Sequence, residues 1–229
     1  MSTETPGAVI WDMDGTLVDT AELHFEAWVE LCRQLGRGFT REEFAATFGR
    51  RNREILQWLF GQAYSVSEMD ELGARKEVLY RAAARRGVEL LPGVRPLLQA
   101  LHANGFRQAI GSSAPRGNLE LIMDLTTSRP FFDAVASAED TQRGKPDPQV
   151  FLVAAAKLGS GPAQCLVVED AVAGVKAARA ASMKCIAVSF VGHHSEDALR
   201  GAGADLVVKT LEYVTVETIR RLLDPSAGG

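Results

Sequence analysis

Two aspartates one residue apart, Asp12 and Asp14, follow the apolar run Val9-Ile10-Trp11 and precede Gly15-Thr16. Side chains two apart on an extended chain share a face, so both carboxylates would project from the end of a short buried strand. Carboxylates this close repel and gain proton affinity unless a cation intervenes. The pattern suits a metal ion, a nucleophile and a proton carrier; a bare D-x-D would read only as a solvated turn. Two further features, Ser112 and Glu169-Asp170, also stand just after apolar runs, and Lys145 lies in Arg143-Gly144-Lys145-Pro146-Asp147-Pro148, on the loop after another. Taken singly, each has an ordinary use. Ser112 suits a turn or a cap, Lys145 a solvated loop, and Glu169-Asp170 an N-cap and first-turn acid. Pro146 disfavours helix at Lys145 and holds it in an extended loop.

The elements that must position these groups alternate. A strand over 9–11 is followed by a helix-rich stretch, 20–87, with almost no strand pattern. Its first helix carries Ala21, His24, Phe25, Trp28, Leu31, Cys32 and Leu35 at helical spacing. Thr40 and Glu43 form a capping-box signature for a helix over 41–48, which Gly49 breaks. Ile55, Leu56, Leu59 and Phe60 mark a third helix, and a fourth is predicted over 67–86 with Ser67 as its N-cap.

Beyond Val88, strands are predicted over 106–111, 134–135, 165–168, 185–188 and 206–208. Helices are predicted over 94–103, 116–125, 149–158, 171–181, 196–200 and 216–223, and residues 225–229 read as a loose tail. Asp147 and Pro148 suit the N-cap and first turn of the 149–158 helix. Gly174, costly inside a helix, suggests close helix–sheet packing. Trp11 reads as core. This alternation predicts an α/β fold, a parallel sheet covered by helices on both faces. Residues 20–88 then form an insertion after the first strand, and 1–19 with 89–229 form the core. The two crossings, near 19–22 and 89–92, would run side by side as a hinge. Open parallel sheets bind ligands outside the carboxyl ends of their strands, which would bring all four features to one crevice.

Composition narrows the class. The 229 residues are 46% hydrophobic and 24% charged, with a net charge of -4, an ordinary globular balance that gives no reason to expect nucleic acid or an anionic membrane. The N-terminal residues lack a basic segment followed by an apolar one, and no apolar run approaches bilayer length. Cys32, Cys165 and Cys185 are odd in number and lack metal-ligand spacing. A cytoplasmic protein without disulfides is expected.

The four features, in this order, resemble the motifs of the haloacid dehalogenase superfamily over nearly the whole chain. Asp19-Thr20-Ala21-Glu22-Leu23-His24-Phe25-Glu26-Ala27-Trp28 is similar to the corresponding stretch of its β-phosphoglucomutase-like subfamily. The resemblance implies a Rossmann-like, doubly wound core with a small all-helical cap. It also implies phosphoryl transfer, with Asp12 as a nucleophile that becomes an aspartyl phosphate. Mg²⁺ would be held by Asp12, Asp170 and the Asp14 carbonyl, with Glu169 a supporting or partial ligand. The Asp14 carboxyl would move protons. Ser112 would hydrogen-bond a phosphoryl oxygen, Lys145 would offset its charge, and Thr16 and Ser113 join the substrate-binding set. A small phosphorylated metabolite is the expected partner, and a monomer the expected state.

The helical insertion bears on the substrate. His24 falls on the apolar stripe of its helix, either as a packing histidine or as the hinge-side histidine that the resemblance suggests. Lys76 falls on the stripe of the fourth helix, either snorkelling or as a substrate contact. The subfamily's mutases hold an arginine for a second phosphate; alignment puts Asn52 at that place, with Arg50, Arg51 and Arg53 around it. A sugar-phosphate phosphatase is therefore the preferred expectation. A β-phosphoglucomutase is the alternative, and a non-catalytic phosphate- or metal-responsive module a further one. A metal-free dehalogenase fits less well, since it needs neither Asp14 nor Glu169-Asp170.

Overall fold

The computed structural model describes residues 7–47 and 50–224. Among them a six-stranded, all-parallel sheet runs β3-β2-β1-β4-β5-β6. Its strands are β1 (Ala8–Trp11), β2 (Arg107–Gly111), β3 (Ala134–Ala136), β4 (Cys165–Glu169), β5 (Lys184–Val188) and β6 (Leu206–Val208). Such a sheet must be covered on both faces, and the pleat of β1 shows how. Val9 and Trp11 join one core with Leu98, Leu101, Leu119, Ile122 and Ile219. These come from α5 (Val94–Ala103), α6 (Arg116–Leu125) and α10 (Val216–Leu223). Ala8 and Ile10 join the opposite core with Phe151, Ala154, Val175 and Leu199. These lie on α7 (Gln149–Leu158), α8 (Val172–Ala180) and α9 (Glu196–Gly201). The doubly wound α/β expectation holds. Within the first core the Trp11 indole N–H donates to Gln108 Oε1 at 3.1 Å, and Gln108 Nε2 donates to the Leu98 carbonyl. A polar side chain in the middle of β2 thus satisfies a buried indole.

Four helices lie between β1 and α5: α1 (Ala21–Gln34), α2 (Arg41–Thr47), α3 (Asn52–Phe60) and α4 (Val66–Ala84). They share a separate core of Trp28, Leu31, Phe39, Phe44, Leu56 and Met69. The chain just before the first expected crossing pairs with the second, with Val18 bridging Leu90 antiparallel and the Leu91 N–H donating to the Leu17 carbonyl. The Thr40–Glu43 capping box is present. Position 48, Gly49 and the tail at 225–229 lie outside the described residues.

Two caps differ from expectation. The N-cap of α4 is Ser65, not Ser67, because Ser65 and Glu68 exchange both capping-box hydrogen bonds; the three-residue spacing selects Ser65. Pro148, not Asp147, occupies the N-cap position of α7, while the Asp147 carboxylate still accepts the Gln149 N–H at 3.0 Å. Cys32, Cys165 and Cys185 are buried free thiols. No helix of the described residues is long and apolar enough to cross a membrane.

Candidate active site

The parallel ladder runs one residue past β1: the Asp12 N–H donates to the Val168 carbonyl at 3.0 Å. That bond places Asp12 beside the end of β4, where Glu169 and Asp170 leave the sheet. Two glycines make room there. Gly15 has φ of +87°, and a Cβ on it would stand 2.1 Å from Asp170 Oδ2. Only glycine meets both demands. A Cβ on Gly174 would stand 1.7 Å from Glu169 Oε1. The close packing expected at Gly174 therefore serves one carboxylate.

Lys145 lies between the acids. Its Nζ donates to Asp12 Oδ1 at 2.5 Å and to Glu169 Oε1 at 2.6 Å. The other Glu169 oxygen accepts the N–H groups of Asp170 and Ala171 at 2.7 and 2.6 Å. Burial, aided by the charges of Glu169 and Asp14 and opposed by Lys145, pushes the Asp12 carboxyl up to about 7. Burial and the neighbouring carboxylates push Asp170 well above the usual carboxylate range. Burial would lower Lys145, but Asp12 and Glu169 hold its ammonium above the ordinary lysine value. Asp12, Glu169 and Asp170 each bring an oxygen to a cluster whose atoms lie within 4.8 Å of one another. When ionised, these three carboxylates exceed the charge of the one ammonium by two. The donors are all carboxylate oxygens, the chemistry of a hard divalent cation such as Mg²⁺.

Asp14 stands apart from that cluster. The Thr20 hydroxyl donates to its Oδ1, and His24 Nε2 lies 3.6 Å from the same oxygen. Burial favours the neutral acid, but His24, Thr20 and Lys76 outweigh it and hold Asp14 below the usual carboxylate range. Ser112 is buried, and its Oγ accepts the Ala114 N–H at 3.1 Å, which leaves the hydroxyl hydrogen free to point elsewhere.

A cavity of about 590 Å³ opens over these groups. Asp12, Asp14, Ser112, Ser113, Lys145, Glu169 and Asp170 line it from the sheet side; His24, Asn52 and Lys76 line it from the helical side. Thr16, expected to bind substrate, does not line the cavity. It is fully buried, with its hydroxyl 3.5 Å from Asp170 Oδ1, because the turn at Gly15 carries it beneath the acid cluster.

On the helical side the expected residues engage one another. Lys76 Nζ lies 2.6 Å from His24 Nδ1 and 3.1 Å from Glu77 Oε1, and the His24 ring stacks on Tyr80. An ammonium can only donate, so Nδ1 accepts and Nε2 carries the imidazole proton towards Asp14. Burial pulls Lys76 below the ordinary lysine value, against the opposing carboxylate of Glu77. Asn52, at the position of the absent arginine, donates to Glu77 Oε1 at 2.6 Å. The neighbouring arginines do not converge on its place. Arg53 pairs with Asp70, Arg51 donates to the Thr141 carbonyl and hydroxyl and to the Gln142 carbonyl, and Arg50 is exposed along the cavity.

Lining residues missed from the sequence include the titratable Glu54, Glu77, His193 and His194. The two histidines sit in the loop after β5, so the rule applied to the other strand ends would have found them. Glu77 is marked only by its neighbour, a lysine on a buried stripe.

A model of the haloacid dehalogenase-like hydrolases matches residues 6–182. The chain is 34% identical over 219 residues to the β-phosphoglucomutase of Bacillus subtilis (strain 168), covering 93% of each. It is 33% identical over 220 residues to hexitol phosphatase B of Escherichia coli (strain K12), covering 93% of this chain and 96% of that one. The crystal structure of β-phosphoglucomutase from Clostridium difficile superposes with a TM-score of 0.84 at 26% identity, covering 96% of this chain and 97% of the other.

Proposed function

Because this chain belongs to the haloacid dehalogenase-like hydrolase family, and its relatives are phosphoryl-transfer enzymes, we propose that it is a Mg²⁺-dependent phosphatase of small sugar phosphates. One observation carries the reading: Asp12, Glu169 and Asp170 crowd within 4.8 Å on the floor of a substrate-sized cavity, with Lys145 against two of them. Such a floor attracts a divalent cation, and cation and ammonium together admit a phosphate that bare carboxylates would repel. Mg²⁺, held by Asp12, Asp170 and the Asp14 carbonyl with support from Glu169, would neutralise charge on the nucleophile and the phosphoryl oxygens.

The chain's own residues divide the remaining work. An Asp12 carboxylate oxygen attacks phosphorus as the bond to the sugar oxygen breaks, and Asp14 gives that oxygen a proton. Water then attacks the aspartyl phosphate and gives its proton to Asp14, releasing inorganic phosphate and restoring Asp12. The donors around Asp14 favour its carboxylate, the form needed for the second step. A bound phosphate dianion raises its proton affinity, as the first step requires. The Ser112 hydroxyl donates to a phosphoryl oxygen, and Lys145 offsets charge on Asp12 as the bond forms. Ser113, along the same wall, borders the phosphate.

Residues 20–88 act as a cap over the core formed by 1–19 and 89–229, closing on substrate about the paired crossings. A mutase, in which a sugar hydroxyl replaces water, is the second reading, favoured by the 34% identity to the B. subtilis enzyme. Phosphate release from a panel of sugar monophosphates, with and without EDTA, tests the first reading beside a β-glucose 1-phosphate isomerisation assay. Release that stops with EDTA and in Asp12→Asn supports it. Full release by Asp12→Asn refutes the aspartyl-phosphate route, and isomerisation without free phosphate replaces the phosphatase reading with the mutase one.

A further inference from the structure

Glu77 is 5% exposed, yet its carboxylate faces the cavity from α4. Oε1 accepts Lys76 Nζ and Asn52 Nδ2, and Oε2 accepts Asn118 Nδ2 at 2.6 Å. Four lone-pair sites meet three donors, so one acceptor site remains on Oε2. Lys76 has three N–H donors, of which two meet Glu77 and His24. The Lys76 ammonium also lies 5.6 and 5.3 Å from the ring centroids of Trp28 and Tyr80, so this wall offers an acceptor on Glu77 beside a buried, paired ammonium, a setting that suits a hydroxyl group. Glu77, Lys76 and Asn52 together supply no uncompensated cation, because the Lys76 charge is spent on Glu77 and Asn52 is neutral; of the arginines that also line the cavity, Arg51 is turned to the Thr141 and Gln142 carbonyls and Arg50 is exposed. A phosphate dianion placed here would bring no donor to Glu77 and would meet a like charge in a water-poor setting.

We propose that Glu77 is a specificity-determining residue: with Lys76 it selects phosphomonoesters whose remainder is neutral and hydroxyl-bearing, and it excludes substrates with a second phosphate. The proposal rests on the phosphatase reading and adds to it the residue that discriminates. Asn118 lies on α6 of the sheet core, so its bond to Glu77 also fixes the carboxylate where the helical and sheet sides meet.

The test measures phosphate release by the full chain in Mg²⁺ from three probes: glucose 6-phosphate, glucose 1,6-bisphosphate, and a 1-O-alkyl glucose 6-phosphate of comparable bulk. The wild type should favour the monophosphate over the bisphosphate at least tenfold in kcat/KM and should accept the alkyl probe better than the bisphosphate. Glu77→Gln, which keeps the shape and removes the charge, should narrow the monophosphate-to-bisphosphate ratio at least tenfold. Equal use of the two phosphates by the wild type would overturn the proposal. So would rejection of the alkyl probe as strong as that of the bisphosphate, since the exclusion would then be steric, and this arm holds even if Glu77→Gln does not fold. An unchanged ratio in a folded Glu77→Gln would overturn it as well. Release from none of the probes, or from a wider monophosphate panel, would instead remove the phosphatase reading.

Discussion

Replacing Gly174 with alanine should destabilise the protein at a position where the same change in an ordinary helix would stabilise it. In a helix interior alanine gains ~1 kcal/mol over glycine. At Gly174 the new Cβ would stand 1.7 Å from Glu169 Oε1 and 1.9 Å from its Cδ, so the carboxylate must leave. It would give up the N–H groups of Asp170 and Ala171 and the Lys145 ammonium. Hydrogen bonds to charged groups contribute ~1.5–3 kcal/mol each. Losing two of the three, less the helix gain, leaves a net cost of ~2–5 kcal/mol. At ~2–4 °C per kcal/mol for a chain of this size, the melting temperature should fall by ~4–20 °C. Thermal unfolding followed by circular dichroism measures this, with Gly201→Ala as the control. A Cβ on Gly201, at the end of α9, meets nothing within 4 Å, so that variant should match or slightly exceed the wild type. Phosphate release should fall in Gly174→Ala as Lys145 loses its second carboxylate. A Gly174→Ala protein that melts at or above the wild-type temperature would refute the claim that the glycine exists to seat Glu169.

Two further outcomes follow from groups away from the cavity floor. Gln108→Leu leaves the Trp11 indole N–H without its acceptor inside the core, and should cost about 1–3 kcal/mol in urea unfolding; an unchanged midpoint would show that the indole finds another partner. Asp140 accepts from Lys157, Arg116 and Ser137. Burial works to raise its carboxyl, but these donors hold it well below the usual range. A carboxyl depressed in the folded state adds stability above its unfolded value, and that stability is lost as pH falls below about 4. The urea midpoint of Asp140→Asn should therefore lie below that of the wild type at pH 7, and the two should converge as the solution is acidified; parallel pH profiles would contradict this.

Much of the molecule was legible in one dimension. The runs 8–11, 165–168 and 185–188 that form most of β1, β4 and β5 are apolar because a parallel sheet buries both faces of its strands, and that leaves a continuous signal. Helices α5, α6 and α7 begin and end at the residues their periodicity marks. Asp12, Asp14, Ser112, Lys145 and Glu169-Asp170 could be singled out because each stands at a strand end or on the loop that follows one, and topology sends strand ends to one side. What the sequence determined alone, then, was the alternation of elements and the set of groups brought to the sheet's carboxyl edge.

The partners of those groups were decided only in three dimensions. Glu169 and Asp170, adjacent on an extended chain, should face apart. Yet Glu169 turns back to cap the Asp170 and Ala171 amides and meets Lys145 from 24 positions away, in space that Gly174 leaves open. Thr16 entered the expected substrate-binding set with the resemblance, but the turn directs it under Asp170. Asn52 read as a missing cation, and the fold makes it a ligand of Glu77, a residue that helical periodicity does not mark. Such pairings depend on which helix faces cross the cavity, and side-chain spacing along one element carries no record of the element opposite. The physical reason is that local pattern reports burial, whereas the cost of burying a charge is met only by whichever donor the packing delivers.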